Sequence, residues 1–111
     1  MSGNPVDPGV RGTIDPVRDD VIFREPILSR ARIDATRPFN QVKSDAGGQS
    51  IRVVIGPGFE KTIMQGNHRV YGAQLDAVDI VEALLYTPEE WEAFVGFPFF
   101  PGGTNNPSVL A

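Results

Sequence analysis

Hydrophobic and polar residues alternate most regularly between residues 51 and 65. Ile51, Val53 and Ile55 occupy every second position, and β-branched side chains of this kind suit a pleated, half-buried strand. Gly56-Pro57-Gly58 interrupts the alternation with a turn, and the segment FEKTIMQ returns as the antiparallel partner. The pattern predicts a β-hairpin with Ile51, Val53 and Ile55 in the core.

Three other segments have weaker strand patterns. Apolar and charged residues alternate with period two over residues 29–35, which indicates a half-buried strand. HRVYGAQL, residues 68–75, follows a break at Gly66-Asn67 and is predicted as the next strand of a meander. VIFREPIL, residues 21–28, contains Pro26 and is expected at a sheet edge or a bend. Residues 37–50 are predicted as a loop.

The segment LDAVDIVEALLY, residues 75–86, fits two structures. As a strand it fails to alternate at Ile80-Val81 and at Leu84-Leu85. As a helix it gathers its three acidic residues on one stripe and leaves an apolar stripe opposite. A helix is favoured here, with a strand as the alternative.

The segment TPEEWEAFV, residues 87–95, carries a helix start. The Thr87 side chain can accept a hydrogen bond from a backbone N–H of the first helical turn. Glu90, three residues later, can complete a capping box by accepting from the Thr87 N–H. Trp91 and Phe94 then share one apolar face and are predicted to pack in the core, and Gly96 ends the helix.

Residues 84–95, LLYTPEEWEAFV, resemble the C-terminal end of a family of short actinobacterial proteins of unknown function, often found beside helix-turn-helix regulators. The family also has an N-terminal tryptophan–serine segment, a cysteine-containing strand and an arginine–aspartate–serine–lysine strand. None of these has a counterpart in this chain, so the resemblance is confined to this segment and no membership is assigned.

Together these patterns predict an α+β domain that is mostly β. We expect a small antiparallel β-meander or barrel-like sheet with one or two short C-terminal helices. The compact domain spans residues 21–95, and proline- and glycine-rich segments form extended arms at residues 1–20 and 96–111. A chain of 111 residues can bury one modest core.

Charge and composition exclude several functions. Residues 51–111 carry seven acidic and three basic side chains, which account for the whole net charge of −4. Nucleic-acid affinity depends largely on cationic contacts, so nucleic acid is not expected as a partner. The chain has no cysteine, no apolar run long enough to span a membrane and no signal-peptide pattern. We therefore expect synthesis in the cytoplasm, with possible incorporation into a particle assembled there.

Side chains suited to catalysis or metal binding are sparse. His68 is the single histidine and follows Gly66-Asn67, so we interpret it as a solvent-exposed turn residue. One histidine without cysteine cannot make a usual zinc site, and no serine lies in a nucleophile-elbow context. The glycine-rich segments GPGFEK and PGGTNNP match no phosphate-binding fingerprint. We predict no catalytic residue, no metal and no cofactor, and therefore no enzyme.

The C-terminal segment FPFFPGG concentrates aromatic residues where regular structure cannot form. Pro98 and Pro101 hold the backbone extended, and alternation would point Phe97 and Phe99 to one side and Phe100 to the other. A segment that faces both ways is not expected to lie flat on its own small domain. We predict that these five residues bind a partner, and that deleting residues 97–111 leaves a folded domain that no longer assembles.

Extended arms, an aromatic tail and the lack of catalytic chemistry favour a non-enzymatic assembly protein. Its partners would be neighbouring protein subunits in a homo- or hetero-oligomer, and small components of phage or phage-like particles share this design: decoration, connector and tail proteins. The alternative is a small regulatory module that binds a basic partner through its acidic C-terminal half.

Overall fold

The fold places its most apolar strands at the centre of a sheet that is covered on both faces. The computed structural model describes residues 6–46 and 49–111. In chain order its elements are β1 (Val10–Ile14), β2 (Val21–Phe23), β3 (Ile27–Ser29), α1 (Arg30–Ala35), α2 (Gln41–Ser44), β4 (Arg52–Ile55), β5 (Lys61–Gln65), α3 (Asn67–Leu75), β6 (Val81–Tyr86), α4 (Pro88–Val95) and β7 (Ser108–Leu110). Val53 and Val54 point to opposite faces of β4, and both are fully buried.

Five strands form one sheet in the order β1-β6-β4-β5-β2. The pairs β1–β6 and β4–β5 are antiparallel, whereas β4–β6 and β2–β5 are parallel. A separate two-stranded parallel ribbon joins β3 to β7. Val70 and Ala73 of α3 join the main hydrophobic core with residues of the sheet, while α4 packs its aromatic side chains against Tyr86.

This architecture corrects part of the predicted fold class. The domain has mixed α and β content, as expected, but its sheet is mixed and not an antiparallel meander. The sheet ends at β1 on one side and β2 on the other, so it is not a closed barrel. The helices of the described residues lie along the chain from Arg30 onward and are not confined to its C-terminal end.

The predicted hairpin is confirmed. β4 and β5 pair antiparallel around the turn at 56–60, where Gly56 N–H donates to the carbonyl of Glu60. Ile51 and Val53 are fully buried, and Ile55 is half-buried against the same core.

The predicted helix at residues 75–86 is wrong: α3 ends at Leu75, and residues 81–86 form strand β6, the alternative that the pattern left open. β6 places Val81, Ala83 and Leu85 against the core that contains α3, while Tyr86 points to the face that α4 covers. Because both faces are covered, adjacent Leu84 and Leu85 can both be apolar in a strand, and alternation fails.

The predicted strands at residues 29–35 and 68–75 are also wrong, because both segments are helical. Ser29 caps α1, its hydroxyl accepting from Arg32 N–H at 3.4 Å. A helix of six residues with Ile33 as its one buried side chain shows no helical periodicity in sequence. In α3, Gly72 lets the two helices approach, since a Cβ there would overlap the Thr36 hydroxyl.

Segments outside the predicted 21–95 domain also join the fold. β1 pairs with β6 along its length and buries Ile14, which differs from the predicted arm at residues 1–20. Residues 1–5 lie outside the described residues, as do Gly47 and Gly48 of the predicted loop. At the other end β7 pairs with β3, so the predicted arm at 96–111 returns to its own domain.

Candidate functional site

The aromatic tail, residues 97–101, follows α4 directly and is held on the domain surface by its backbone. The capping box predicted for α4 is present: Thr87 accepts from Glu90 N–H at 3.1 Å, and Thr87 N–H donates to the Glu90 carboxylate at 2.8 Å. Gly96 ends the helix at a left-handed φ of 81°. From there Phe99 N–H donates to Glu92 Oε2 at 2.7 Å, which ties the tail to the last turn.

Beyond these contacts the chain crosses β2. Arg24 Nη1 donates to the carbonyl of Phe100 at 2.5 Å, and Phe23 and Thr104 exchange two backbone hydrogen bonds of 2.7 and 3.0 Å. Gly103 makes this crossing possible, because its φ is 119° and a Cβ would stand 2.5 Å from the Phe23 carbonyl oxygen. The tail therefore has a defined path over its own domain.

The three tail rings differ in exposure. Phe97 is 72% exposed and Phe100 is 68% exposed, whereas Phe99 is half-buried. Alternation predicted Phe97 and Phe99 on one side; in the structure Phe97 and Phe100 are the two that face solvent. Pro98 and Pro101 are exposed as well. The tail thus presents two open phenylalanine rings on a fixed backbone.

The predicted core residues Trp91 and Phe94 form a half-buried cluster with Tyr86. The Tyr86 ring meets Trp91 edge-on at 5.1 Å between centroids and stacks on Phe94 at 6.0 Å. The Arg52 guanidinium lies 5.3 Å from the centre of the Phe94 ring. α4 therefore attaches to the sheet through aromatic contacts.

Asp7 closes this cluster from the N-terminal side. Its carboxylate accepts from Arg52 Nη1 at 2.6 Å and from the Tyr86 hydroxyl at 2.7 Å. Burial and then the bond to Asp7 raise the pKa of Tyr86 to about 12. Burial would raise the pKa of Asp7, but hydrogen bonds from Gly9 N–H, Tyr86 and Arg52 lower it. The Tyr86 hydroxyl therefore stays protonated and donates to Asp7, and this hydrogen bond holds the segment before β1 on the domain. Neither group is activated for a reaction.

His68 corrects the interpretation of an exposed turn residue. It lies in the first turn of α3 with 6% of its surface exposed, and its Nε2 accepts from Ser29 N–H at 3.1 Å. Burial, and then the charge of Arg32, lower the pKa of His68, while Glu25 opposes them. The ring is therefore neutral at pH 7, and because Nε2 is the acceptor the proton is on Nδ1.

The start of α3 lies beside a polar cleft, which we call the α3 cleft. It consists of two cavities of about 410 and 310 Å³ that share Glu25, Arg32 and His68 as lining residues. The larger one is also lined by Asn67 and Arg69. No pattern in the sequence indicated this cleft. Glu25 belongs to the segment 21–28, which was expected at a sheet edge or a bend, and Arg32 belongs to the segment 29–35, which was predicted as a strand.

Arg69 joins α3 to the chain after α2. Its Nη1 donates to the carbonyls of Ser44 at 3.0 Å and Gln49 at 2.5 Å, and Asp45 Oδ1 lies 3.8 Å away. Burial lowers the pKa of Arg69, and the charge of Asp45 opposes this shift. Both N–H groups of Arg69 Nη1 therefore have acceptors within the protein.

Within residues 6–46 and 49–111, no three side chains are grouped as metal ligands, and no helix is long and apolar enough to cross a bilayer. Neither a protein-family model nor a curated protein sequence matches this chain.

Proposed function

We propose that this protein is a non-enzymatic assembly component that binds a neighbouring protein subunit through the aromatic tail. The observation that carries the proposal is the pair of exposed rings, Phe97 and Phe100, on a backbone that hydrogen bonds already hold in place. Leaving a phenylalanine ring in water forgoes about 2–3 kcal/mol relative to burying it. Two such rings three positions apart on one short segment can serve as anchors that fill pockets on a partner.

The fixed path of the tail supports the same proposal. A flexible segment loses conformational entropy when it binds, whereas a segment already in place loses less. Anchoring residues at protein interfaces are often aromatic and cost about 2 kcal/mol or more when truncated. The tail combines this residue type with a preset backbone, so most of the burial energy of its rings is available for binding.

The setting we propose is a phage or phage-like particle, in which the protein would serve as a capsid decoration, connector or tail component after synthesis in the cytoplasm. This part of the proposal is an analogy of design. The partner would be a neighbouring subunit, either a second copy of this chain or a different protein.

The alternative, a regulatory module with an acidic binding face, has less support. Several acidic groups of the C-terminal half are engaged within the domain: Asp76 bonds Arg37 at 2.8 Å, Glu90 closes the capping box and Glu92 holds the tail. Charges used in this way are not free to bind a basic partner.

The test compares a variant of the tail with a control in which an exposed phenylalanine elsewhere is replaced by the same residue. In the tail variant Phe97 and Phe100 are both replaced by Ser; in the control Phe59→Ser removes a ring that is 75% exposed at the tip of the β4–β5 turn. Sedimentation of the purified protein, alone and with the subunits encoded beside it, measures assembly. We expect the tail variant to lose the complex, with binding weakened about thirtyfold or more, and the control to retain it.

Two results would contradict the proposal. One is a wild-type protein that stays monomeric with every neighbouring subunit; the other is equal weakening by the tail variant and by Phe59→Ser, which would indicate general surface hydrophobicity. Denaturant unfolding of both variants checks that neither has lost its fold.

A further inference from the structure

The α3 cleft offers hydrogen-bond donors that the protein itself does not use. His68 is buried, and its Nε2 is occupied by Ser29 N–H, which leaves Nδ1–H as a donor. No side chain or carbonyl among the described residues accepts from Nδ1. Among the described residues, the fully buried polar side-chain atoms without a hydrogen-bond partner are Ser44 Oγ and Asp45 Oδ1. His68 Nδ1 is not one of them although it has no partner, so this atom is accessible from the cleft that His68 lines.

The helix itself adds further donors. Gly66 precedes α3 at the N-cap position, has a left-handed φ of 98° and supplies no side-chain cap. The first N–H groups of a helix have no partner within it, and here Asn67, His68 and Arg69 occupy those positions beside the cleft. Uncapped N–H groups and the helix dipole together favour a negative group.

The charges around the cleft select the kind of anion. Arg32 lines both cavities and makes no ion pair within residues 6–46 and 49–111, whereas Arg69 is committed to two carbonyls. Glu25 lines both cavities too and would repel a ligand of high negative charge. A cleft lined by one guanidinium without an ion pair and by one carboxylate suits a single negative charge better than the double charge of a phosphate.

We propose that the α3 cleft binds a small molecule through its carboxylate group. The ligand carboxylate accepts from His68 Nδ1–H and from the first N–H groups of α3, and it pairs with Arg32. The cleft, at about 410 Å³ in its larger part, has room for a metabolite of several carbon atoms beside the carboxylate. This site is separate from the aromatic tail and does not depend on the assembly proposal.

An NMR titration of the isotope-labelled full chain with sodium acetate tests the site, with sodium chloride added to the reference to match ionic strength. We expect saturable shifts of the Asn67, His68 and Arg69 amides and of His68 Nδ1–H. Arg32→Gln is expected to weaken acetate binding about tenfold, the effect of one charge-assisted hydrogen bond. Glu25→Gln is expected to strengthen it, because a repulsive charge is removed.

Arg30→Gln is the matched control, since Arg30 is an exposed arginine on the same helix that does not line the cleft. It should leave acetate binding within about twofold of wild type. Equal weakening by Arg30→Gln and Arg32→Gln would overturn the proposal, as would the absence of saturable shifts at residues 67–69. Tighter binding of inorganic phosphate than of acetate would overturn the choice of a carboxylate.

Discussion

At the scale of single residues, His68 shows how much a side chain's role depends on neighbours that are distant in sequence. In sequence it follows Gly66-Asn67, a pair typical of turns. The structure places its ring against Ser29, thirty-nine positions earlier, and buries it. Nothing local to His68 indicates Ser29 N–H as its donor, whereas the capping role of Thr87 depends only on Glu90 three residues later and could be predicted.

The titration of His68, the single histidine of the chain, makes the stability of the fold depend on pH. Its pKa in the folded state lies below the ordinary 6.5, chiefly because of burial. Between these two pKa values the unfolded chain binds more protons, so the stabilisation is fully present above about pH 6.5 and is lost as pH falls toward the folded pKa. We expect the free energy of unfolding, measured with urea, to fall from pH 7 to pH 5.5.

His68→Gln is the control for this effect, because glutamine can still accept from Ser29 N–H but does not titrate. Its stability should vary much less between pH 7 and pH 5.5, since the carboxyl groups titrate chiefly below that range. An unchanged slope in this variant would show that His68 is not the group responsible.

At the scale of elements, the predictable ones carry their own local information. The β4–β5 hairpin has alternation and a glycine–proline turn, and α4 has a cap at each end. α1, α3 and β6 carry weaker local signals. α1 has a cap at Ser29 but buries Ile33 alone, α3 follows a glycine that supplies no side-chain cap, and β6 is apolar on both faces. Their identities depend on which surfaces cover them, and that is a tertiary property.

Thr87 tests the best-defined of these element boundaries. Thr87→Ala removes the hydroxyl that accepts from Glu90 N–H and breaks one half of the capping box. We expect the free energy of unfolding to fall by about 1 kcal/mol, seen as a lower denaturant midpoint with an unchanged slope. Thr13→Ala, at an exposed position of β1, is a comparison that loses no cap. Equal midpoints for Thr87→Ala and wild type would mean that the cap contributes nothing to α4.

At the scale of the whole molecule, the sheet order joins elements that a meander would keep apart. β4 is the central strand between β6 and β5, and the two N-terminal strands β1 and β2 lie at opposite edges, beside β6 and β5. Parallel neighbours such as β4 and β6 need a crossover connection, which here contains helix α3. The sequence did not indicate this crossover, because α3 was interpreted as a strand. The wrong predictions for α3 and β6 therefore changed the predicted topology. The partner-binding role of the tail residues stays a prediction. Their attachment to the domain through Arg24, Glu92 and Thr104 was not visible in the sequence, because these contacts join positions whose pairing no local pattern indicates.

Because the C-terminal segment is attached in this way, we expect it to stabilise the domain, which a detachable arm would not do. Residues 104–111 contain the Thr104 pairing with Phe23, the buried Pro107 and strand β7, which runs beside Leu28 of β3. Leu28 is 1% exposed, and removing its cover would open it to water. We expect deletion of residues 104–111 to lower the free energy of unfolding by about 3 kcal/mol or more, from two or three apolar side chains exposed.

The variant with Phe97 and Phe100 both replaced by Ser is the contrast, because those rings are already open and their loss should change the free energy of unfolding by about 0.5 kcal/mol or less. Urea unfolding of the two proteins thus separates the part of the C-terminal segment that completes the fold from the part proposed to bind a partner. A truncated protein with the wild-type midpoint would show that residues 104–111 are dispensable to the domain, as the sequence pattern alone indicated.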